Sequence, residues 1–308
     1  MSEREDKYKG IIPAFYACYG RDGEIDSGRV KEFTRYLIGK NVKGLYVGGS
    51  SGECIYQSVD DRKKLLEAVM SEAGGKITVI AHVACNNTKD SQELAAHAES
   101  LGVDAIASIP PIYFHLPDYA IAKYWNDISS SAPKTDFVIY NIPQLAGVGL
   151  SISLLREMLK NGRVIGVKNS SMPTQDIQMF KAEGKKDGRE FVVFNGPDEQ
   201  LVSGLAIGAD GGIGGTYAVM PELYNAIFSL VQTGDIPRAR EIQNDADSII
   251  YALCTAKGNL YATMKEVLKK RTGIDLGGVR APLYPYSDCD RPVVDKCAKM
   301  IDEAVSRL

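Results

Sequence analysis

No apolar run in this 308-residue chain approaches the roughly 18 to 20 residues that a membrane-spanning helix requires. The first ten residues, MSEREDKYKG, are charged where a secretory signal would be apolar, so a cytoplasmic protein without a membrane partner is expected. Metal-ligand spacing is missing too. The six cysteines (Cys18, Cys54, Cys85, Cys254, Cys289 and Cys297) form no C-x-x-C pair, and the three histidines (His82, His97 and His115) form no ligand-spaced group. Free thiols and no metal site are expected. An excess of positive charge is also lacking: 36 Lys and Arg against 39 Asp and Glu leave a net charge of -3. That balance, with no appended DNA-binding helix pair, argues against nucleic acid or an anionic membrane as a partner and against a regulator built on the same scaffold. A small molecule remains as the ligand class, and the length suffices for one large α/β domain or two ordinary ones.

What is present is alternation. Short β-rich apolar runs (GIIPAF, GLYVGG, ITVIAHV, DAIASIP, DFVIYNI, VIGVKN, FVVFNG and DGGIGGT) are separated by amphipathic stretches such as SVDDRKKLLEAVMSEA, TKDSQELAAHAESLG and EQLVSGLAIGA. These make eight β/α cycles. The runs are nearly continuous in apolar residues, as expected of strands covered by helices on one face and by a packed interior on the other. A TIM (β/α)8 barrel is therefore predicted over residues 1–230. A doubly wound open sheet fits less well, because no G-x-G-x-x-G follows the first strand. After residue 230 the alternation stops, and IPRAREIQNDADSIIYALC, LYATMKEVLKKRTG and DRPVVDKCAKMIDEAVSRL predict a C-terminal helical region over 231–308.

In a barrel of this kind the loops after the strands carry the chemistry, so polar residues at strand ends are the candidates. Four stretches qualify: GGSSGE, YNIP, KNSS and NGPDE. In GGSSGE, Gly48 and Gly49 precede Ser50 and Ser51, letting N–H groups and hydroxyls converge on a carboxylate or phosphate; a tight turn capping the next helix explains the same residues. Tyr140 alone is a weak signal, because a strand tyrosine more commonly sits in the core with its hydroxyl on a backbone partner. Lys168 is the stronger signal, since an ammonium at the end of a buried strand loses hydration and its pKa falls toward neutrality. A neutral amine forms Schiff bases with ketones and aldehydes; a lysine that reaches out of the barrel or pairs with an acid is the alternative.

Together GLYVGGSSGE, AHVACNNT, YNIPQLAGV, GVKNSS and NGPDEQLVSGLAIGADGGIGGTY resemble the N-acetylneuraminate lyase and dihydrodipicolinate synthase superfamily of Schiff-base aldolases, and most closely its lyase branch. The resemblance implies a class I aldolase that reversibly cleaves N-acetylneuraminate to N-acetylmannosamine and pyruvate, with no metal or organic cofactor. It implies that Lys168 forms the Schiff base, that Ser50 and Ser51 hold the substrate carboxylate, and that Tyr140 shuttles protons. Ser170, Gly196, Asp198 and Glu199 match contacts to the hydroxyl-rich sugar; the two acids also suit a helix N-terminus, and both roles can coexist. Tyr113 matches a residue that, in the superfamily, reaches a neighbouring subunit's site, and the resemblance implies a homotetramer.

Several positions depart from the family pattern. Ile112 stands where the first of two adjacent tyrosines is common, so a relay that needs both is affected, and packing at a subunit contact is the other role for Tyr113. No basic residue lies between Tyr140 and Gly149, whereas the synthase branch carries an arginine there for a second substrate carboxylate. That difference favours the lyase over a dihydrodipicolinate synthase; another 2-keto-3-deoxy sugar acid aldolase using the same pyruvate Schiff base is the remaining alternative. Gly215 stands where the lyases often carry a serine, which removes one contact to the glycerol tail, a difference of roughly 0.5 to 1.5 kcal/mol. Pro197 is a further variation, within NGPDE.

Overall fold

The eight apolar runs become eight short parallel strands: β1 (Gly10–Pro13), β2 (Gly44–Val47), β3 (Thr78–His82), β4 (Ala105–Ser108), β5 (Asp136–Asn141), β6 (Val164–Asn169), β7 (Val192–Asn195) and β8 (Gly211–Gly214). The computed structural model describes residues 2–308. Strand order runs β1-β8-β7-β6-β5-β4-β3-β2. The remaining seam is closed by a parallel bridge between Ala14 and Tyr46, with the Phe15 N–H donating to Tyr46 O at 2.9 Å and the Lys43 N–H to Ile11 O at 2.8 Å. The result is the (β/α)8 barrel that the alternation predicts.

Period-two alternation splits each strand between two apolar layers. Ile12, Tyr46, Ile80, Val138, Tyr140 and Phe194 fill the barrel interior. Their neighbours Ile11, Leu45, Val79, Phe137, Ile139 and Val193 face the surrounding helices. Helix Val59–Ala73 illustrates how that outer layer is specified: Ser58 and Asp61 form a reciprocal capping box, and Leu65, Leu66, Val69 and Ala73 form the buried stripe. At the N-terminal end of the barrel, Tyr8 plugs the floor, its hydroxyl 2.8 Å from Asp136 Oδ2 and 2.9 Å from Asp104 O.

Strand β6 breaks the alternation once. Phe137 pairs with Val164, but Val138 pairs with Gly166, so Ile165 is an extra residue, a β-bulge. Gly166 meets β7 closely: a Cβ there would lie 2.3 Å from Val192 O. Gly166→Ala is therefore expected to push β6 and β7 apart and to cost about 1–3 kcal/mol. Urea denaturation reads this as a lower midpoint at unchanged slope; an unchanged midpoint would mean that the contact does not set the strand spacing.

Helices Ile236–Leu253, Leu260–Thr272 and Arg291–Val305 follow the barrel. Their buried residues, among them Ile242, Ile249, Leu268, Cys297 and Ile301, share one apolar core with the barrel's helix layer. Among the described residues, no helix is long and apolar enough to cross a membrane.

Candidate active site

The bulge at Ile165 decides where Lys168 points. Counted by strict alternation from the inward-facing Ile165, Lys168 would face the helices; the extra residue restores register, so Gly166 lies opposite the inward Val138 and Lys168 opposite the inward Tyr140. Lys168 and Tyr140 are thus side-by-side neighbours on the inner face of adjacent strands. Lys168 Nζ sits 4.0 Å from the centre of the Tyr140 ring and 4.3 Å from that of Tyr46. The two rings meet edge to face, 5.8 Å apart. Among the described residues, no carboxylate forms an ion pair with Lys168. Its side chain is buried, and burial drives the pKa down to about 7, opposed by the charge of Asp198 and by Cys54. A substantial share of Lys168 is therefore the neutral, nucleophilic amine near neutral pH.

Ser50 and Ser51 open a short turn, Ser50–Gly52, immediately after β2. Glycine is required before it: Gly48 holds a positive φ of 73°, and a Cβ on Gly49 would lie 2.6 Å from the Tyr46 ring. The loop is supported from below by His82, whose Nδ1 is 3.0 Å from Gly48 O. A carbonyl can only accept, so Nδ1 carries the proton; burial pushes the imidazole pKa down to about 3, which keeps the ring neutral.

Tyr140 is fully enclosed, and burial raises its phenol to about 12, with the hydroxyls of Ser170 and Ser50 pulling it back. Asp198 follows β7, and its Oδ2 accepts from both the N–H and the hydroxyl of Thr216, each at 2.6 Å. Burial lifts its pKa to about 6 despite those two donors. Gly196 must be glycine, because a Cβ would meet Ser170 Oγ at 2.0 Å. Gly215, in ordinary helical backbone, gives its carbonyl to the Tyr16 hydroxyl at 2.6 Å, and a Cβ there would stand 3.1 Å from Ser51 Oγ. A serine at 215 would thus crowd the Ser51 hydroxyl.

These groups surround one cavity of about 290 Å³ at the C-terminal mouth of the barrel. Ser50, Ser51, Tyr140, Lys168, Ser170, Gly196, Asp198, Glu199 and Gly215 all line it, Glu199 from an exposed position. Tyr113 does not. It lies in the loop after β4, 85% exposed, with a positive φ of 84° and its ring edge to face with Phe114.

Tyr46, Thr216 and Tyr261 also line the cavity and were not among the residues expected there from sequence. Tyr46 is inward by strand parity in GLYVGG, a signal that was available; Thr216 directly follows GGIGG. Tyr261 comes from the C-terminal helix Leu260–Thr272 and receives a hydrogen bond from Ser51 Oγ at 3.4 Å, a contact across 210 residues that no local pattern announces. Among the described residues, no group of three His, Cys, Asp or Glu is placed to hold a metal ion.

Residues 7–301 match the model of the dihydrodipicolinate synthetase family. The chain is 62% identical to the N-acetylneuraminate lyase of Mediterraneibacter gnavus, covering 97% of this chain and 94% of the relative. It is 34% identical to N-acetylneuraminate lyase 2 of Escherichia coli, over 98% and 97% of the two chains. Among solved structures, the catalytic lysine mutant of the Ruminococcus gnavus sialic acid aldolase superposes with a TM-score of 0.96 at 61% identity, covering 98% of each chain.

Proposed function

Because this chain belongs to the dihydrodipicolinate synthetase family, we propose that it is a class I aldolase that reversibly cleaves N-acetylneuraminate to N-acetylmannosamine and pyruvate through a Schiff base on Lys168. The observation that carries the reading is the pairing of Lys168 with Tyr140 on the inner face of β6 and β5. The neutral amine attacks the C2 keto carbon, and loss of water leaves an iminium. Ser50 and Ser51 take the adjacent carboxylate with hydroxyls and backbone N–H groups. Tyr140 then relays the proton of the C4 hydroxyl, accepting it as its own phenol proton passes to that carboxylate. The C3–C4 bond breaks, its electron pair passes to the iminium as an enamine, and N-acetylmannosamine leaves as the aldehyde. Protonation at C3 and hydrolysis release pyruvate and free Lys168.

A phenol held near 12 is a weak base alone. An iminium formed on Lys168 puts a lasting positive charge beside that ring, which favours the phenolate and lowers its pKa when the proton must move. Ser170, Gly196, Asp198 and Glu199 take the sugar hydroxyls, Asp198 as an acceptor already oriented by Thr216. Residues 1–230 then act as the catalytic barrel, and residues 231–308 as a helical region that adds a wall to its mouth.

The loop after β5 supports the lyase over the synthase. Gln144 donates its amide to Ser170 O at 2.8 Å, and the loop between Tyr140 and Gly149 carries no Lys or Arg for a second substrate carboxylate. The reading extends to a cytoplasmic homotetramer in which the exposed Tyr113 and Phe114 pack at a subunit contact.

Turnover measured side by side decides among substrates. Pyruvate is expected from N-acetylneuraminate; release from a 2-keto-3-deoxy sugar acid but not from N-acetylneuraminate would overturn the assignment.

A further inference from the structure

The mechanism leaves the last residue of GGSSGE without a role. Glu53 holds left-handed backbone, φ 58°, which a non-glycine residue adopts only when its surroundings enforce it. Its side chain is fully enclosed and stands apart from the residues lining the cavity. Glu53 Oε1 accepts from Lys265 Nζ at 2.8 Å, and Oε2 accepts from the Arg280 backbone N–H at 2.8 Å. Lys265, only 1% exposed, also donates to Gly278 O at 2.7 Å. Both charges are therefore paired and hydrogen-bonded. Stability alone does not call for such a pair, since apolar side chains of similar volume commonly serve a buried site as well or better.

Lys265 and Tyr261 lie one turn apart on helix Leu260–Thr272, four residues apart and so on one face. Tyr261 meets Ser51, and Lys265 meets Glu53. One face of a helix from the C-terminal region thus grips both sides of Gly52. We propose that Glu53 and Lys265 are a positioning pair that holds Ser50–Gly52 in shape for the keto-acid carboxylate, so that the C-terminal helix sets the affinity for pyruvate. The inference rests on the reading that Ser50 and Ser51 receive that carboxylate.

The test runs the reaction in the direction of synthesis, where the two substrates have separate KM values. Lys265→Met is expected to raise KM for pyruvate about tenfold and leave KM for N-acetylmannosamine unchanged. The pair Glu53→Gln with Lys265→Met leaves no buried charge unpaired and should fold where the single change does not, with the same selective rise. Wild-type KM values in a folded variant, or an equal rise for both substrates, would overturn the proposal. Ser51→Ala in parallel separates the two claims. If it leaves KM for pyruvate unchanged, the carboxylate reading itself fails; if it raises KM while the Glu53 and Lys265 variants do not, only the positioning role fails. Hydrogen exchange on the wild-type protein gives an independent measurement. Trapping pyruvate on Lys168 with borohydride should slow exchange at residues 50–53 and at Gly278 and Arg280 together, and protection confined to 50–53 would also overturn the proposal.

Discussion

Lys168→Met is expected to lose pyruvate release by a factor on the order of 10⁴ to 10⁶ and to become more stable at neutral pH. The first effect follows from removing the nitrogen proposed to form the iminium; methionine keeps the length and apolar stem of lysine but has no nucleophilic nitrogen. Pyruvate with borohydride should add a reduced adduct to Lys168 in the wild-type protein and none in the variant. An adduct on a different lysine, or substantial turnover by the variant, would end the Schiff-base assignment. The second effect follows from linkage. An unfolded lysine keeps its proton to about pH 10.4, whereas the folded Lys168 gives it up near 7. Across that window the unfolded chain binds more protons, so wild-type stability rises with pH, and the cost of burying this amine is greatest below pH 7. The advantage of the variant in thermal melts should therefore be largest below pH 7 and shrink as pH approaches 10.4. The same titration governs catalysis. Imine formation needs the neutral amine, so kcat/KM should climb with pH and level off above about 7.

The barrel was legible because each strand is nearly continuous in apolar residues and each helix carries its own stripe and cap, as with Ser58 and Asp61 around helix Val59–Ala73. Lys168 was legible as a buried charge at the end of the sixth run. Its direction was not, because one extra residue at Ile165 reverses the face of everything after it, and a bulge leaves no composition signal in VIGVKN. Tyr261 and Lys265 were not legible for a different reason. Lys265 meets Glu53 across 212 residues, and only the packing of the C-terminal helices against the barrel brings the two together. Tyr113 is intermediate: the resemblance implies a role at a neighbouring subunit's site, which a single chain does not contain, and within one chain it stands outside the cavity, 85% exposed.

Tyr140→Phe is expected to separate the two halves of the reaction. Phenylalanine keeps the ring face 4.0 Å from Lys168 Nζ, so the cation of the iminium retains its aromatic neighbour, and Tyr46 contributes a second face at 4.3 Å. Pyruvate should still be trapped on Lys168 by borohydride. Cleavage needs more than the iminium, because the C4 hydroxyl must lose its proton as the C3–C4 bond breaks, and the other phenol beside Lys168, Tyr46, is pushed well above its ordinary pKa by complete burial. Turnover of N-acetylneuraminate should consequently fall by roughly 10² to 10⁴ in kcat, the usual share of a positioned proton carrier. Single-turnover measurements then distinguish the roles: if Tyr140 moves the proton, the iminium accumulates and its decay slows. If trapping falls in step with turnover, the phenol acts in forming the Schiff base instead. If neither changes, proton transfer belongs to the substrate carboxylate held by Ser50 and Ser51, and Tyr140 is a wall of the pocket whose hydroxyl is satisfied by Ser170 and Ser50.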